Sequence, residues 1–286
     1  MPWLDDILWT YQTLIHSLGI NGLLALSMYV VLAAGQLSLG QAAFMGLGAY
    51  TGALLSLHTG LPFALVLAAS ALAPAVVAAV IGIPTLRLTG VYLAIATIGL
   101  GEVLRVVYVN AGITGGALGL NGIPGRTETW MIFLALGLAL AGAFAVGQSR
   151  IGRAMEAMRS DGIAAAVMGI DRAAGQLAAL LVSAMLAGLA GCFSAHSASF
   201  IGPNDYAFET AVTILSFAIL GGTGSPLGPV VGALVLTALP EVLRPLQDFR
   251  LVFNGLIIVL VVLFLPRGVV PWRMPRLGRL PRGMAP

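Results

Sequence analysis

LPFALVLAASALAPAVVAAVIGIPTL (61–86) contains no charged residue, and its only polar side chains are Ser70 and Thr85. It closes a longer run, from Ile7 to Leu86, without one Asp, Glu, Lys or Arg. A soluble fold has too few polar side chains there to cover so much apolar surface. In lipid the same run is stable as helix, because a helix satisfies its backbone polar groups internally. The rest of the chain agrees. Of 286 residues, 59% are hydrophobic and 9% charged, with a mean hydropathy of +0.99. Soluble domains carry about 25% charged residues. The sequence therefore predicts an all-α polytopic membrane bundle.

A hydrocarbon core of about 30 Å takes roughly 20 helical residues. Candidate spans are 19–35, 42–57, 62–83, 90–111, 130–147, 174–197, 207–221, 227–241 and 251–266, which sets the expectation at about 8–10 crossings. Four of the short ones, 19–35 with 42–57 and 207–221 with 227–241, pair around Gly-rich polar breaks at 35–41 and 221–226. Short paired segments of this kind read either as broken or re-entrant helices or as tight turns at the membrane face.

Arginine sets the orientation. The loop 149–173 holds Arg150, Arg153, Arg159 and Arg172, and the tail beyond 266 holds Arg267, Arg273, Arg276, Arg279 and Arg282. Both are expected in the cytoplasm by the positive-inside rule. Alternation then places Arg87 inside, loop 112–129 outside and the N-terminus outside. Trp3, Trp9, Trp130 and Trp272 fall at the expected interfaces. Residues 1–271 read as a transmembrane domain and 272–286 as a basic cytoplasmic tail. Asp5 and Asp6 stand where a secretory leader carries positive charge, so the first spans are expected to stay in the membrane.

Composition removes several functions. All fourteen basic residues are Arg, so no P-loop or Schiff-base lysine exists in this chain. Cys192 has no second cysteine, and His16, His58 and His196 lack metal-ligand spacing. Neither a cofactor nor a metal is expected, and ATP is not hydrolysed by this chain unaided. The net charge of +3 follows membrane sidedness and does not point to nucleic acid. No nucleophile–base cluster supports an intramembrane enzyme. The GxxxG pairs Gly48–Gly52 and Gly228–Gly232 suit packing within the chain.

Four segments carry more than hydropathy. GQLSLGQ (35–41) places Gln36, Ser38 and Gln41 between apolar stretches, where polar groups must pair or face a polar cavity. They read as lining for a translocation path or as pairs between helices. Glu102 and Arg105, three apart on one helical face, form an expected intramembrane ion pair of structural character, placed near the core. The Gly-rich loop 112–124 reads as an outer gate, a docking surface or a plain connection. SRIGRAMEAMRSDGIAAAVMGID (149–171) predicts a short amphipathic helix on the inner face. Glu156 and Arg159 stand at i,i+3, and Met155, Met158, Ile163, Val167 and Met168 offer exposed apolar contacts to a partner groove or to the leaflet.

These segments resemble the permease subunits of bacterial branched-chain amino acid ABC importers. The resemblance covers about residues 19–271. It is carried by GQLSLGQAAFMGLGAY (35–50), TIGLGEVLR (97–105), TGGALGLNGIP (114–124), the 149–171 stretch, SAMLAGLAG (183–191), ILGGTGSPLGPVVGA (219–233) and LFLPRGVV (263–270). It implies a type II importer-like fold in a bacterial inner membrane, with a second related permease, two cytoplasmic ATPases and an external binding protein as partners. It maps 149–171 onto the ATPase-coupling region, with Glu156, Arg159, Asp161, Ile163, Ala164, Ala165 and Gly169 as coupling residues. Ala164, Ala165 and Gly169 match the family's AA-xxx-G element. Where the family usually carries acidic residues this chain has Gly162 and Ala166, so apolar packing is expected to dominate docking. The implied cargo is leucine, isoleucine or valine. The alternatives are urea or short amides on the same architecture, or a stand-alone channel or ion-coupled carrier using Glu102–Arg105.

Overall fold

The computed structural model describes residues 11–242 apart from 86, 87 and 89. The candidate span at 251–266, Arg87, Trp3, Trp9, Trp272 and the tail at 272–286 lie outside the described residues. The first eight candidate spans each fall on one helix. These are α1 (Gln12–Ala33), α2 (Gln41–His58), α3 (Phe63–Thr85), α4 (Val91–Asn110) and α5 (Thr129–Gln148). They continue with α8 (Arg172–Ala198), α9 (Phe208–Gly221) and α10 (Leu227–Val242). Two further helices, α6 (Arg150–Ser160) and α7 (Gly162–Val167), form the loop between α5 and α8.

The longest of the described helices, α8, is the central column, and α1, α2 and α3 pack around it. Small residues make this possible. A Cβ on Gly48 would stand 2.2 Å from the carbonyl oxygen of Gly188, so α2 and α8 meet backbone to backbone. On its other side Gly188 takes the ring of Pro74 from α3. Both GxxxG pairs serve packing inside the chain, because Gly228 and Gly232 close on the Gly221–Gly222 end of α9.

Helix directions follow from the contacts. Gln41 and Ser56 of α2 bond Ser183 and His196 of α8, so these helices run parallel. His16 at the start of α1 bonds Ser197 at the end of α8, so α1 runs antiparallel to it. Cys192 and Gly188 near the end of α8 lie beside Ser70 and Pro74 of α3, whereas Leu177 near its start lies beside Gly82. Thus α3 is antiparallel to α8 as well. Each direction matches the alternation read from the arginines.

The first span is longer than its sequence reading. It begins at Gln12, because His16 is accommodated by Ser197 Oγ at 2.7 Å and Thr129 Oγ1 at 2.9 Å. Asn21 is likewise absorbed by Thr237. A hydropathy scan sees only the polarity of those side chains and not their partners. The outer loop after α4 is also more ordered than its glycines suggest. Two 3₁₀ turns (Gly112–Thr114 and Gly116–Leu118) lead into β1 (Leu120–Asn121), which pairs antiparallel with β2 (Phe200–Ile201).

Candidate functional site

The break after α1 begins at Gly35, whose φ of +75° turns the chain out of the helix. It continues to α2 at Gln41, beside Ser183. That residue is eleven positions into α8, about 16 Å along its axis. The chain therefore re-enters the bilayer before becoming helical again, and α2 starts deep. Free backbone groups there are met by side chains. Leu39 N–H donates to Thr97 Oγ1 of α4 at 2.9 Å, and Gly40 N–H donates to Ser38 Oγ at 3.2 Å. Gln41 Nε2 donates to Ser183 Oγ at 3.3 Å.

Gln36, Ser38 and Gln41 are all buried inside this one chain. Ser38 and Gln41 are committed to internal partners, because an unpaired polar group at this depth is costly. Gln36 differs from them. Its Oε1 is buried with no hydrogen-bond partner among the described residues.

The inner loop is two helices where the sequence predicted one. Ser149 caps α6 by accepting from Ile151 N–H and Gly152 N–H. Asp161 ends α6 in extended backbone and caps α7, accepting from Ile163 and Ala164 at 2.9 and 3.0 Å. Asp171 caps α8 through Ala174 N–H. Each such cap contributes about 1 kcal/mol, and Asp161 redirects the chain between the two helices. Gly169, with φ +80°, supplies the left-handed residue that releases α7.

The coupling residues divide by exposure. Ile163, Val167 and Met168 are at least 80% exposed, and Ala164 is exposed beside them. Ala165 is buried against its own chain, as is Met158, whose Sδ and Cε lie over Gly175 of α8. Met155 is half-buried. Met158 therefore anchors α6 on α8, and the buried Ala165 is withdrawn from the exposed face of α7. Glu156 is exposed.

Arg159 reaches further than its i,i+3 spacing to Glu156 suggests. Its guanidinium donates to the Thr223 carbonyl at 3.1 Å and to Thr223 Oγ1 at 2.9 Å. Its backbone closes on Gly35, where an added Cβ would stand 3.2 Å from Arg159 Cα. One residue of α6 thus touches both helix breaks, 35–41 and 221–226. Thr223 and Thr97 were not singled out by sequence; one sits in the Gly-rich break and the other in an apolar stretch, and hydropathy alone passes over both.

Glu102 and Arg105 form the expected ion pair on α4, with Arg105 Nε donating to Glu102 Oε1 at 2.9 Å and Nη2 donating to the same oxygen. Their placement near the core is corrected. The Glu102 side chain is 52% exposed and that of Arg105 30%, because α4 packs on the bundle by its other face, through Leu93, Ala94, Thr97 and Tyr108. Arg105 Nη1 also donates to Asn204 Oδ1 at 3.3 Å. Among the described residues no three His, Cys, Asp or Glu side chains gather as a metal site.

Two helix breaks and a capped pair of short helices thus stand among five described helices long and apolar enough to cross a membrane. A family model described as "Branched-chain amino acid transport system / permease component" matches residues 11–265. The chain belongs to that permease family. The permease is 32% identical to the high-affinity branched-chain amino acid transport system permease protein LivM of Escherichia coli (strain K12) over 307 aligned positions, covering 95% of this chain and 70% of the relative. LivM of Salmonella typhimurium (strain LT2) gives the same identity and coverage. No solved structure matches. The permease is a multi-pass inner-membrane protein and a transport subunit, not an enzyme.

Proposed function

We propose that the permease pairs with a second, related permease to move leucine, isoleucine or valine inward, powered by two cytoplasmic ATPases and fed by an external binding protein. The observation that carries this reading is the junction at Arg159. A force applied to α6 and α7 by a closing ATPase reaches Gly35 through backbone contact and Thr223 through the guanidinium. Both breaks would then shift together, and a break is where a helix can bend without losing a continuous hydrogen-bond ladder. The exposed apolar set Ala164, Ile163, Val167 and Met168 supplies the docking face, in keeping with an apolar groove on the ATPase.

In this reading Gln36, Ser38 and Gln41 border the inner part of the path. Ser38 and Gln41 clamp the break in the present conformation, and Gln36 offers its unpartnered Oε1 once the break moves. The two charges of an amino acid are handled by helix ends and neutral amides there.

The deciding experiment is competitive uptake of labelled leucine and labelled urea in cells with and without this chain, its partners kept intact. Loss of leucine uptake alone supports the reading; loss of urea uptake alone reassigns the cargo on the same architecture. Uptake by the purified chain in liposomes without any ATPase overturns it.

A further inference from the structure

The ion pair on α4 is a poor candidate for a purely structural element. Val91–Asn110 crosses the bilayer, and Glu102 lies about 17 Å from its inner end and 12 Å from its outer end. A charged pair with half of its carboxylate side chain uncovered would be expensive against lipid, even when paired. The face around it must therefore meet water or polar groups in the working transporter. Asn204 joins the pair from the 3₁₀ turn Pro203–Tyr206, which lies at the outer end next to β2. Three polar groups thus converge on one exposed surface in the outer half of the membrane.

Immediately beside them is a cavity of about 20 Å³. Its wall includes Leu39 from the first helix break, Ala42 and Ala43 from the first turn of α2, Glu102 itself, Tyr206 and Phe208. Behind Tyr206 stand Tyr50 and Tyr108, stacked at 4.2 Å between centroids. Both of their hydroxyls are buried without a hydrogen-bond partner among the described residues. The cavity is a partly open hollow with room for about one water in this conformation. Its lining is mostly apolar with Glu102 on one side, and it joins the ion pair to Leu39 of the first break.

We infer that the Glu102–Arg105–Asn204 face and the adjoining cavity form a transit site for an aliphatic α-amino acid in its zwitterionic form. The carboxylate is received by Arg105 Nη1 and the Asn204 amide, and the ammonium by Glu102 Oε2, which stands outside the Arg105 bonds. The branched side chain enters the cavity as α4 separates from the Leu39–Ala43 segment. A neutral pair suits cargo of zero net charge: it supplies one partner for each end without a net charge that would trap either. The assignment rests on the importer reading above and names a binding surface within it.

The test uses the full transporter in membranes, with single cysteines introduced at Glu102→Cys and at Asn204→Cys. Leu138→Cys, on the exposed apolar face of α5, is the lipid-facing control. Cys192 is buried and does not report. A membrane-impermeant cationic methanethiosulfonate is expected to modify the first two and spare the third. Leucine-charged binding protein is expected to slow that modification at least fivefold. In parallel, the double variant Glu102→Gln with Arg105→Gln is expected to lose at least tenfold in leucine uptake while assembly and stimulated ATP hydrolysis persist. Protection at both probes together with that loss supports the site. Cysteines as unreactive as Leu138→Cys place the pair against lipid or another subunit and overturn it. Modification without protection by leucine overturns it too, as does full uptake by the double variant. Leucine uptake by the unaltered transporter, measured alongside, separates these failures from failure of the importer reading itself.

Discussion

Two polar constellations in this membrane chain behave oppositely. Gln36, Ser38 and Gln41 are uncharged and lie in a break flanked by glycines, yet all three are buried within the subunit. Glu102 and Arg105 are fully charged and lie within a regular helix, yet they stand on an exposed face. The difference is one of accounting for hydrogen bonds. A break leaves backbone groups without ladder partners, so polar side chains are drawn inward to meet them: Thr97 Oγ1 accepts from Leu39 N–H and Ser38 Oγ from Gly40 N–H, while Gln41 pairs with Ser183. A regular helix needs none of this help, so its charged side chains are available to whatever lies outside the subunit. The break holds the fold in shape, and the ion pair faces outward.

The largest effect expected from this contrast is at the junction between them and the inner helices. Gly35→Val combines a left-handed backbone angle with a clash on Arg159 Cα. Leucine uptake should fall by more than tenfold while the chain remains inserted; uptake near the native level would show that contact between α6 and the break is not needed. Next is Gly101→Leu. A Cβ at Gly101 meets only Ala43 Cβ, at 3.8 Å, so the fold should tolerate the change while the larger side chain fills the cavity beside Glu102. Uptake should fall roughly tenfold with little change in melting temperature, and an unimpeded rate would remove the cavity from the path.

Arg159→Gln should have an intermediate effect. It loses the two Thr223 bonds but keeps the backbone contact with Gly35, so uptake should drop severalfold while ATP hydrolysis by the assembled complex continues. Strict loss of both together would point to failed docking instead of failed transmission. Gln41→Leu should act on stability. It strands Ser183 Oγ at a helix interface, a cost on the order of 1 kcal/mol, readable as a lower melting temperature in detergent. Smallest of all for the fold is Ile163→Glu on the exposed side of α7. Melting should be unchanged while ATPase co-purification weakens, whereas intact co-purification would move the docking face elsewhere.

Much of the architecture was legible before any coordinates. Apolar runs of helical length located eight of the helices, and the arginine distribution set their alternation, because both signals come from the bilayer acting on each segment separately. The N-terminal extent of α1 was not legible. His16 looks like an interruption until Ser197 and Thr129 are brought beside it from distant parts of the chain. The split of the inner loop was half visible, since Asp161 is a good N-cap residue in the middle of an otherwise helical stretch. Which side of α7 faces outward was not visible, because six residues rich in alanine carry no strong amphipathic period.

The sequence by itself determined a helical membrane protein, the alternating directions of its helices, the absence of lysine chemistry, and the positions of two glycine-marked breaks. Each of these depends on local composition or on the bilayer as a solvent. Only the tertiary structure decided that Arg159 joins both breaks, that Met158 anchors α6 and Ala165 is withdrawn from the exposed face of α7, and that Glu102 and Arg105 look outward to Asn204. Those facts depend on which helix faces which. The packing of glycine backbones around α8 sets that arrangement across more than a hundred residues of sequence, where no local pattern reaches.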